Sequence, residues 1–306
     1  MEIVLLGTGA ALPTRQRWPS ATALIRPGEI LLFDCGEGAQ IQFQQAQLKP
    51  GKLSKIFISH FHGDHFYGLI GLLTSLQMQS REKPLHLYGP HGLNAYLEFM
   101  KKLSHFTFGF KIMVQEVRNL SEKKVWEFEN YRVTARPLHH RITSLGFRLE
   151  ESPKSGRFLV GKAESLGIPE GPLRGKLQKG ETVVLPNGTK VEPSQVLGPE
   201  RPGKKVAICL DTKPCANAIH LAKDADVLIH DGSFDDSKRD WAETTGHSTV
   251  VQAAEIAREA GAKQLVLTHI SARYKEEDEP ELLEQAQRVF PNTILGHDLE
   301  RIAIES

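Results

Sequence analysis

Ser59-His-Phe-His-Gly-Asp-His65 is the stretch on which the reading of this 306-residue chain turns. It follows a strand-like run, Lys55–Ile58, and leads into Phe66–Met78, whose apolar side chains surround most of its surface like those of a buried helix. Imidazole and carboxylate suit Zn²⁺, and three imidazoles within six residues invite a metal. In an extended loop His60 and His62 project to one side, while Asp64 and His65 turn toward a neighbouring position, so one loop can feed two metals. A surface histidine cluster is the competing explanation. An aspartate interleaved just before a buried helix speaks against it.

On either side of the motif, short apolar runs alternate with helix-length stretches. Ile3–Leu6, Ala21–Ile25 and Ile30–Phe33 precede it; Leu85–Tyr88, Lys111–Glu116 and Arg132–Ala135 follow, with a helix over His91–Leu103. From Val206 the rhythm resumes. Strands are predicted at Val206–Leu210, Val227–His230 and Leu265–Thr268, and helices near Cys215–Lys223, over His247–Glu259 and over Pro280–Val289. This places the chain in the α/β class. His140, Asp211 and His269 each fall just past the carboxyl end of a predicted strand, where α/β proteins gather their chemistry. With the four residues of the motif they make a complete set for a pair of metal ions.

Residues 152–205 break the rhythm. Gly and Pro supply 16 of these 54 positions, and no long apolar periodicity survives. Ten basic against five acidic residues make the segment +5, beside a whole-chain charge of +1, which leaves −4 for the rest. A solvated loop would have this composition too, but loops of such length are uncommon unless functional or disordered.

The bulk numbers exclude several classes. A net charge of +1 makes the whole molecule no magnet for polyanions, so any nucleic-acid site must be local. Cys35, Cys209 and Cys215 form no CxxC pair and are odd in number, which argues against a disulfide framework or a thiolate zinc knuckle. No stretch approaches the ~18 uninterrupted apolar residues of a membrane helix. The N-terminal Met-Glu-Ile-Val-Leu-Leu-Gly lacks the basic region and apolar core of a signal peptide. The expectation is a cytoplasmic protein without a membrane partner.

His-x-His-x-Asp-His with a later His, Asp and His resembles the metallo-β-lactamase superfamily. More narrowly, the chain resembles the ribonuclease Z family, the tRNA 3′-processing endonucleases, in its short form. The resemblance runs nearly end to end, through Leu-Gly-Thr-Gly at 6–9, Leu-Pro-Thr-Arg-Gln-Arg at 12–17, Phe-Asp-Cys-Gly-Glu at 33–37 and Leu-Thr-His-Ile-Ser-Ala-Arg-Tyr at 267–274. The last of these, and Gly-Ile-Pro-Glu-Gly-Pro-Leu-Arg-Gly-Lys-Leu-Gln-Lys-Gly at 167–180, are specific to the family rather than to the superfamily.

The resemblance implies a four-layer αββα sandwich over 1–306 as a single domain, with 152–205 as an inserted, protruding arm that grips precursor tRNA. It implies two Zn²⁺ per chain, with Mn²⁺ accepted by the same donors. His60, His62 and His140 would hold one ion, Asp64, His65 and His269 the other, and Asp211 would bridge them. His139 competes with His140; the spacing to Gly-Phe-Arg at 146–148 matches the family with His140. Asp64 would also serve as proton acceptor, and His247, in Thr-Gly-His-Ser-Thr, as proton donor to the leaving 3′-oxygen. Gly171, Pro172, Gly175, Leu177 and Gly180 match the family's arm motif, and Arg174, Lys176 and Lys179 would face phosphates. Arg15 and Arg17, in the loop at 13–18, would meet the acceptor end or the trailer.

A homodimer is implied by the resemblance alone. Three positions depart from the pattern: Trp18 in place of an Asn, Leu210 in place of a Gly, and Asp231 in place of the Glu expected to support His247. A hydrolase of small phosphodiesters or esters would share the metals without needing the arm, and a non-catalytic RNA-binding relative would have lost ligands that this chain keeps.

Overall fold

The computed structural model describes residues 1–119 and 123–304. By packing, the chain divides into two compact units: Met1–Glu127, Val133–Leu149 and Lys205–Ser306 form the first, and Phe128–Arg132 with Glu150–Lys204 the second.

In the first unit two sheets lie face to face. One runs in the order Arg301–Ala303, Glu2–Gly7, Ala21–Arg26, Glu29–Phe33, Leu53–Phe57, Leu85–Pro90, Ile112–Val117. Its pairings become parallel from Glu29–Phe33 onward. The other runs Thr293–Leu295, Leu265–Thr268, Val227–Asp231, Lys205–Cys209, Ser144–Glu151, Tyr131–Leu138, Lys124–Phe128, parallel over its first four strands.

The two-residue side-chain period of strands sorts the layers. Phe33, Phe57 and Tyr88 point toward the second sheet, stacked at centroid distances of 4.9 and 4.7 Å, and meet Trp126 and Phe147 from it. Removing a ring as buried as Phe57 would cost about 3–5 kcal/mol. Their neighbours Leu32, Ile56 and Leu87 face the other way and pack under the helices Ala39–Gln45, Gly68–Met78 and Leu93–Ser104. On the second sheet, Ala207, Leu228, Leu265 and Leu267 pack likewise under Ala216–Ala222, Val250–Ala260 and Glu279–Gln287. Helix, sheet, sheet, helix is the sandwich expected. No helix among the described residues is long and apolar enough to cross a membrane.

Three local differences from the sequence expectation have physical causes. The helix expected over Phe66–Met78 is two helices, Gly63–Phe66 and Gly68–Met78. The amide of Gly68 donates to Cys35 O at 3.0 Å, so the backbone ladder is interrupted there. A Cβ on Gly68 would stand 2.0 Å from Gly36 O, so only glycine permits this approach. The helix expected over His247–Glu259 starts at Val250, because Thr249 and Gln252 form a reciprocal capping box. His247 is thereby left outside the helix.

The third difference is the second unit, which is more than a loop. It contains the helices Val160–Ser165 and Pro172–Gln178, a two-stranded ribbon of Val183–Val184 and Lys190–Val191, and its own core of Ala163, Ile168, Leu177, Val183, Leu185, Val191 and Val196. Helices of six and seven residues are too short to show periodicity in sequence.

Candidate metal centre

Asp34 holds the histidine-rich loop by both ends. Just past the strand Glu29–Phe33, its carboxylate accepts from Ser59 N at 2.7 Å and Ser59 Oγ at 2.9 Å, and lies 2.7 Å from His65 Nδ1. A carboxylate only accepts here, so His65 Nδ1 carries a proton toward Asp34 and Nε2 faces the site. The sequence reading did not single out Asp34. The available signal was the one that found Asp211, an acid just beyond a strand end.

The donor atoms of His60, His62, His140 and Asp211 lie within 4.8 Å of one another, as do those of Asp64, His65 and His269. Asp211 stands between the two groups. Its Oδ1 is 2.9 Å from His269 Nε2 and 3.0 Å from His65 Nε2, while Oδ2 is 3.3 Å from His60 Nε2 and 3.5 Å from His140 Nε2. Asp211 and His269 both have positive φ, 46° and 58°, which turns each side chain inward at a strand end.

Several of these contacts are poor as hydrogen bonds. His60 Nε2 and Asp211 Oδ1 are buried without a hydrogen-bond partner, and the ring nitrogens of His65 and His269 face each other at 3.1 Å. Buried polar atoms are otherwise satisfied. Orphaned donors converging from three strand ends and one loop fit a divalent metal.

Electrostatics agree with that fit. Burial pushes His60 below the ordinary imidazole range, and it takes His140 down to about 4, against the raising influence of Asp211. Both rings are therefore neutral and able to ligate. His140 Nδ1 lies 2.7 Å from Gly246 O, which fixes the tautomer with Nε2 inward. His139 is exposed and belongs to neither donor group. Burial would lower His269, but the adjoining Asp211 carboxylate outweighs it and raises the ring to about 10. Burial would raise Asp64, yet the hydrogen bond from His269 and the charge of His65 hold it well below the carboxylate range. It stays ionised.

His247 stands beside these groups, its ring 5.3 Å from that of His269 and 5.1 Å from that of His140. Its Nδ1 is 2.8 Å from Asp231 Oδ2. The shorter Asp231 thus reaches His247 where the family pattern has a Glu. Ser248 Oγ donates to Thr212 O at 2.6 Å and ties this loop beside Asp211. Leu12, Pro13, His62, Asp64, Tyr67 and Arg141 line an adjoining cavity of about 450 Å³.

The expected RNA-contacting residues divide. Arg15 is exposed. Arg17 is not: its guanidinium is buried, donating to Thr8 Oγ1 and Gly296 O at 2.7 Å each and to Glu279 Oε1 at 2.5 Å, so its donors are taken up within the protein. In the second unit Gly171, Pro172, Gly175, Lys176, Lys179 and Gly180 are exposed. Leu177 is fully buried in that unit's core and offers no binding surface. Arg174 is half-buried, with Nε and a terminal nitrogen donating to Ile168 O at 3.2 and 2.9 Å, so its first partner is the unit's own backbone.

Known proteins share both the sequence and the fold. A family model described as Anti-Pycsar protein Apyc1 matches residues 1–155, and one described as a beta-lactamase superfamily domain matches residues 179–270. Ribonuclease Z of Methanosarcina acetivorans is 45% identical over 304 residues, covering 99% of this chain and 98% of its own. Ribonuclease Z of Synechococcus sp. strain CC9311 is 42% identical, covering 99% of each. The crystal structure of human tRNase Z, short form, superposes with a TM-score of 0.73 at 31% identity over 100% of both chains. Bacillus subtilis YhfI, a metallo-beta-lactamase fold protein, superposes at 0.68 over 98% of each chain, but at 19% identity it speaks for the fold alone. On full-length identity to named relatives and on a shared fold, this chain belongs to the ribonuclease Z family within the metallo-β-lactamase superfamily.

Proposed function

We propose that this protein is a metal-dependent endoribonuclease that removes the 3′ trailer from precursor tRNA, leaving a tRNA 3′-hydroxyl and a 5′-phosphorylated trailer. The observation that carries the reading is Asp211, whose one oxygen reaches His60 and His140 and whose other reaches His65 and His269, beside the His247–Asp231 pair, in a chain similar from end to end to ribonucleases Z. His60, His62 and His140 would hold one Zn²⁺, and Asp64, His65 and His269 a second, with Asp211 common to both. Mn²⁺ suits the same donors. Bound metal acidifies a water and neutralises charge on the phosphodiester.

The chain's own residues do the rest. Asp64, kept ionised and fixed by the amide of Ala11 at 2.7 Å, orients the attacking water and accepts its proton. His247, whose Nδ1 is bonded to Asp231, has Nε2 left to donate a proton to the departing 3′-oxygen. The exposed Lys176 and Lys179 of the second unit meet tRNA phosphates, a shape-reading grip that suits A-form RNA and weakens with salt. By family likeness the enzyme acts as a homodimer in the cytoplasm.

Incubating the protein with a precursor tRNA carrying a 3′ trailer tests this. Wild type should release the trailer and contain two metal ions per chain by elemental analysis, while Asp64→Ala should lose cleavage. Equal behaviour of the two proteins refutes the assignment. Hydrolysis of a small phosphodiester with precursor tRNA left intact would return the small-substrate reading instead.

A further inference from the structure

The loop Thr8–Trp18 has no secondary structure beyond the two-residue strand Gly9–Ala10, yet its tip touches Asp64. Its neck is closed by a residue from the other end of the chain. Asp298 Oδ1 accepts from Thr8 N at 2.9 Å and Thr8 Oγ1 at 2.6 Å, and Oδ2 accepts from Trp18 N at 2.6 Å. One carboxylate thus binds both the first and the last residue of the loop. Burial pushes the Asp298 carboxyl up, and the bonds from Thr8 and Trp18 oppose that. A carboxylate is costly in such a place unless its acceptors are used.

Two connections lead from this neck to the metal centre. At the loop's tip Ala11, at φ 61°, donates its amide to Asp64 Oδ2 at 2.7 Å. At its base Thr8 O accepts from Ile270 N at 2.9 Å, immediately after His269, and Gly9–Ala10 pairs in parallel with Ile270–Ser271. Arg17 reinforces the neck from behind through Thr8 Oγ1, Gly296 O and Glu279.

We infer that Asp298 is a positioning residue for hydrolysis: by closing the neck of the Thr8–Trp18 loop it sets the Ala11 amide against Asp64 and the Thr8 carbonyl against the backbone that carries His269. The inference rests on the proposed reaction for its consequence but not for its geometry. In Asp298→Asn one acceptor becomes a donor. With the amide oxygen toward Thr8, the NH₂ group faces Trp18 N–H and the neck opens on that side.

The test uses the metal-loaded full-length protein and bis(p-nitrophenyl) phosphate. Asp298→Asn should lower kcat about 100-fold, as expected for an ångström-scale misplacement, with KM within about twofold and wild-type metal content. Hydrogen exchange should quicken at the amides of residues 9–18. Unchanged exchange there, or quickened exchange with wild-type kcat, overturns the inference. So does a fall in kcat that merely tracks lost metal.

Should Asp298→Asn fail to fold, Thr8→Val removes the hydroxyl that joins Asp298 to Arg17. It should lower kcat about tenfold, and Thr8→Ser should restore it. Equal rates in all three proteins again overturn the inference. A wild type that hydrolyses the small ester but not precursor tRNA refutes the proposed substrate and leaves this test intact.

Discussion

Replacing Asp231 by Asn separates the proton donor from the metal-binding residues. Asp231 is fully buried and accepts four hydrogen bonds: from His247 Nδ1 at 2.8 Å, Thr212 N at 3.2 Å, Ser233 N at 3.0 Å and Ser233 Oγ at 2.6 Å. Asparagine has the same shape but only one acceptor oxygen. With that oxygen kept toward Ser233, its NH₂ group meets Thr212 N–H and donates to His247 Nδ1. The imidazolium that must give up the proton is then disfavoured.

A hydrogen bond to a charged partner is worth about 1.5–3 kcal/mol, and at about 1.36 kcal/mol per tenfold this is roughly 10- to 150-fold in rate. The loss should depend on the leaving group. A ribose 3′-alkoxide needs a proton to depart, whereas nitrophenolate does not. Asp231→Asn and His247→Ala should therefore each slow single-turnover cleavage of precursor tRNA about 100-fold, while hydrolysis of bis(p-nitrophenyl) phosphate stays within about threefold of wild type. Parallel losses on both substrates would refute the reasoning, since they would mean that the pair serves the metal site or the fold.

Two further expectations test other parts of the molecule. Lys154 and Arg201 pair across the base of the second unit through 2.9 Å backbone bonds in both directions, so residues 155–200 can be replaced by a short turn. That deletion should spare hydrolysis of the small ester and abolish precursor-tRNA cleavage; a shortened chain that still processes precursor tRNA at the wild-type rate removes the grip from the mechanism. Burial would raise the Glu279 carboxyl, but hydrogen bonds from His297 and Arg17 hold it below its ordinary 4.5. A depressed carboxyl stabilises the fold above its unfolded pKa, and that contribution is lost as pH falls through the folded value. The stability gap between wild type and Glu279→Gln in urea titrations should be full at pH 6 and shrink below 4.5; a gap independent of pH contradicts the ion-pair account.

The α/β class was legible in the sequence, and so were the seven residues whose donor atoms the structure gathers together, because each lies in the metal motif or just past a strand end. Residue type and spacing carry that information locally. Strand Ser144–Glu151 and helix Arg239–Thr245 were not singled out, since neither stands out by composition. The helices of the second unit stayed hidden because they are stabilised by a shared core rather than by their own periodicity. Arg17 and Leu177 were read as RNA contacts from motif membership. The structure finds both side chains buried, and burial is a property of the packed molecule.

The motif Ser59–His65 was enough to announce a metal and, with its strand-end partners, a hydrolytic centre. Its chemistry is written in side chains that lie close together along the chain. Sequence favoured His140 over His139 only through family spacing, and left open how one carboxylate comes to stand between two donor groups and what holds the loop against Asp64. Tertiary structure decides these through contacts such as Asp298 to Thr8, 290 residues apart, whose partners become neighbours only once two sheets have closed on each other. Ligand identity is local chemistry, and ligand orientation is packing.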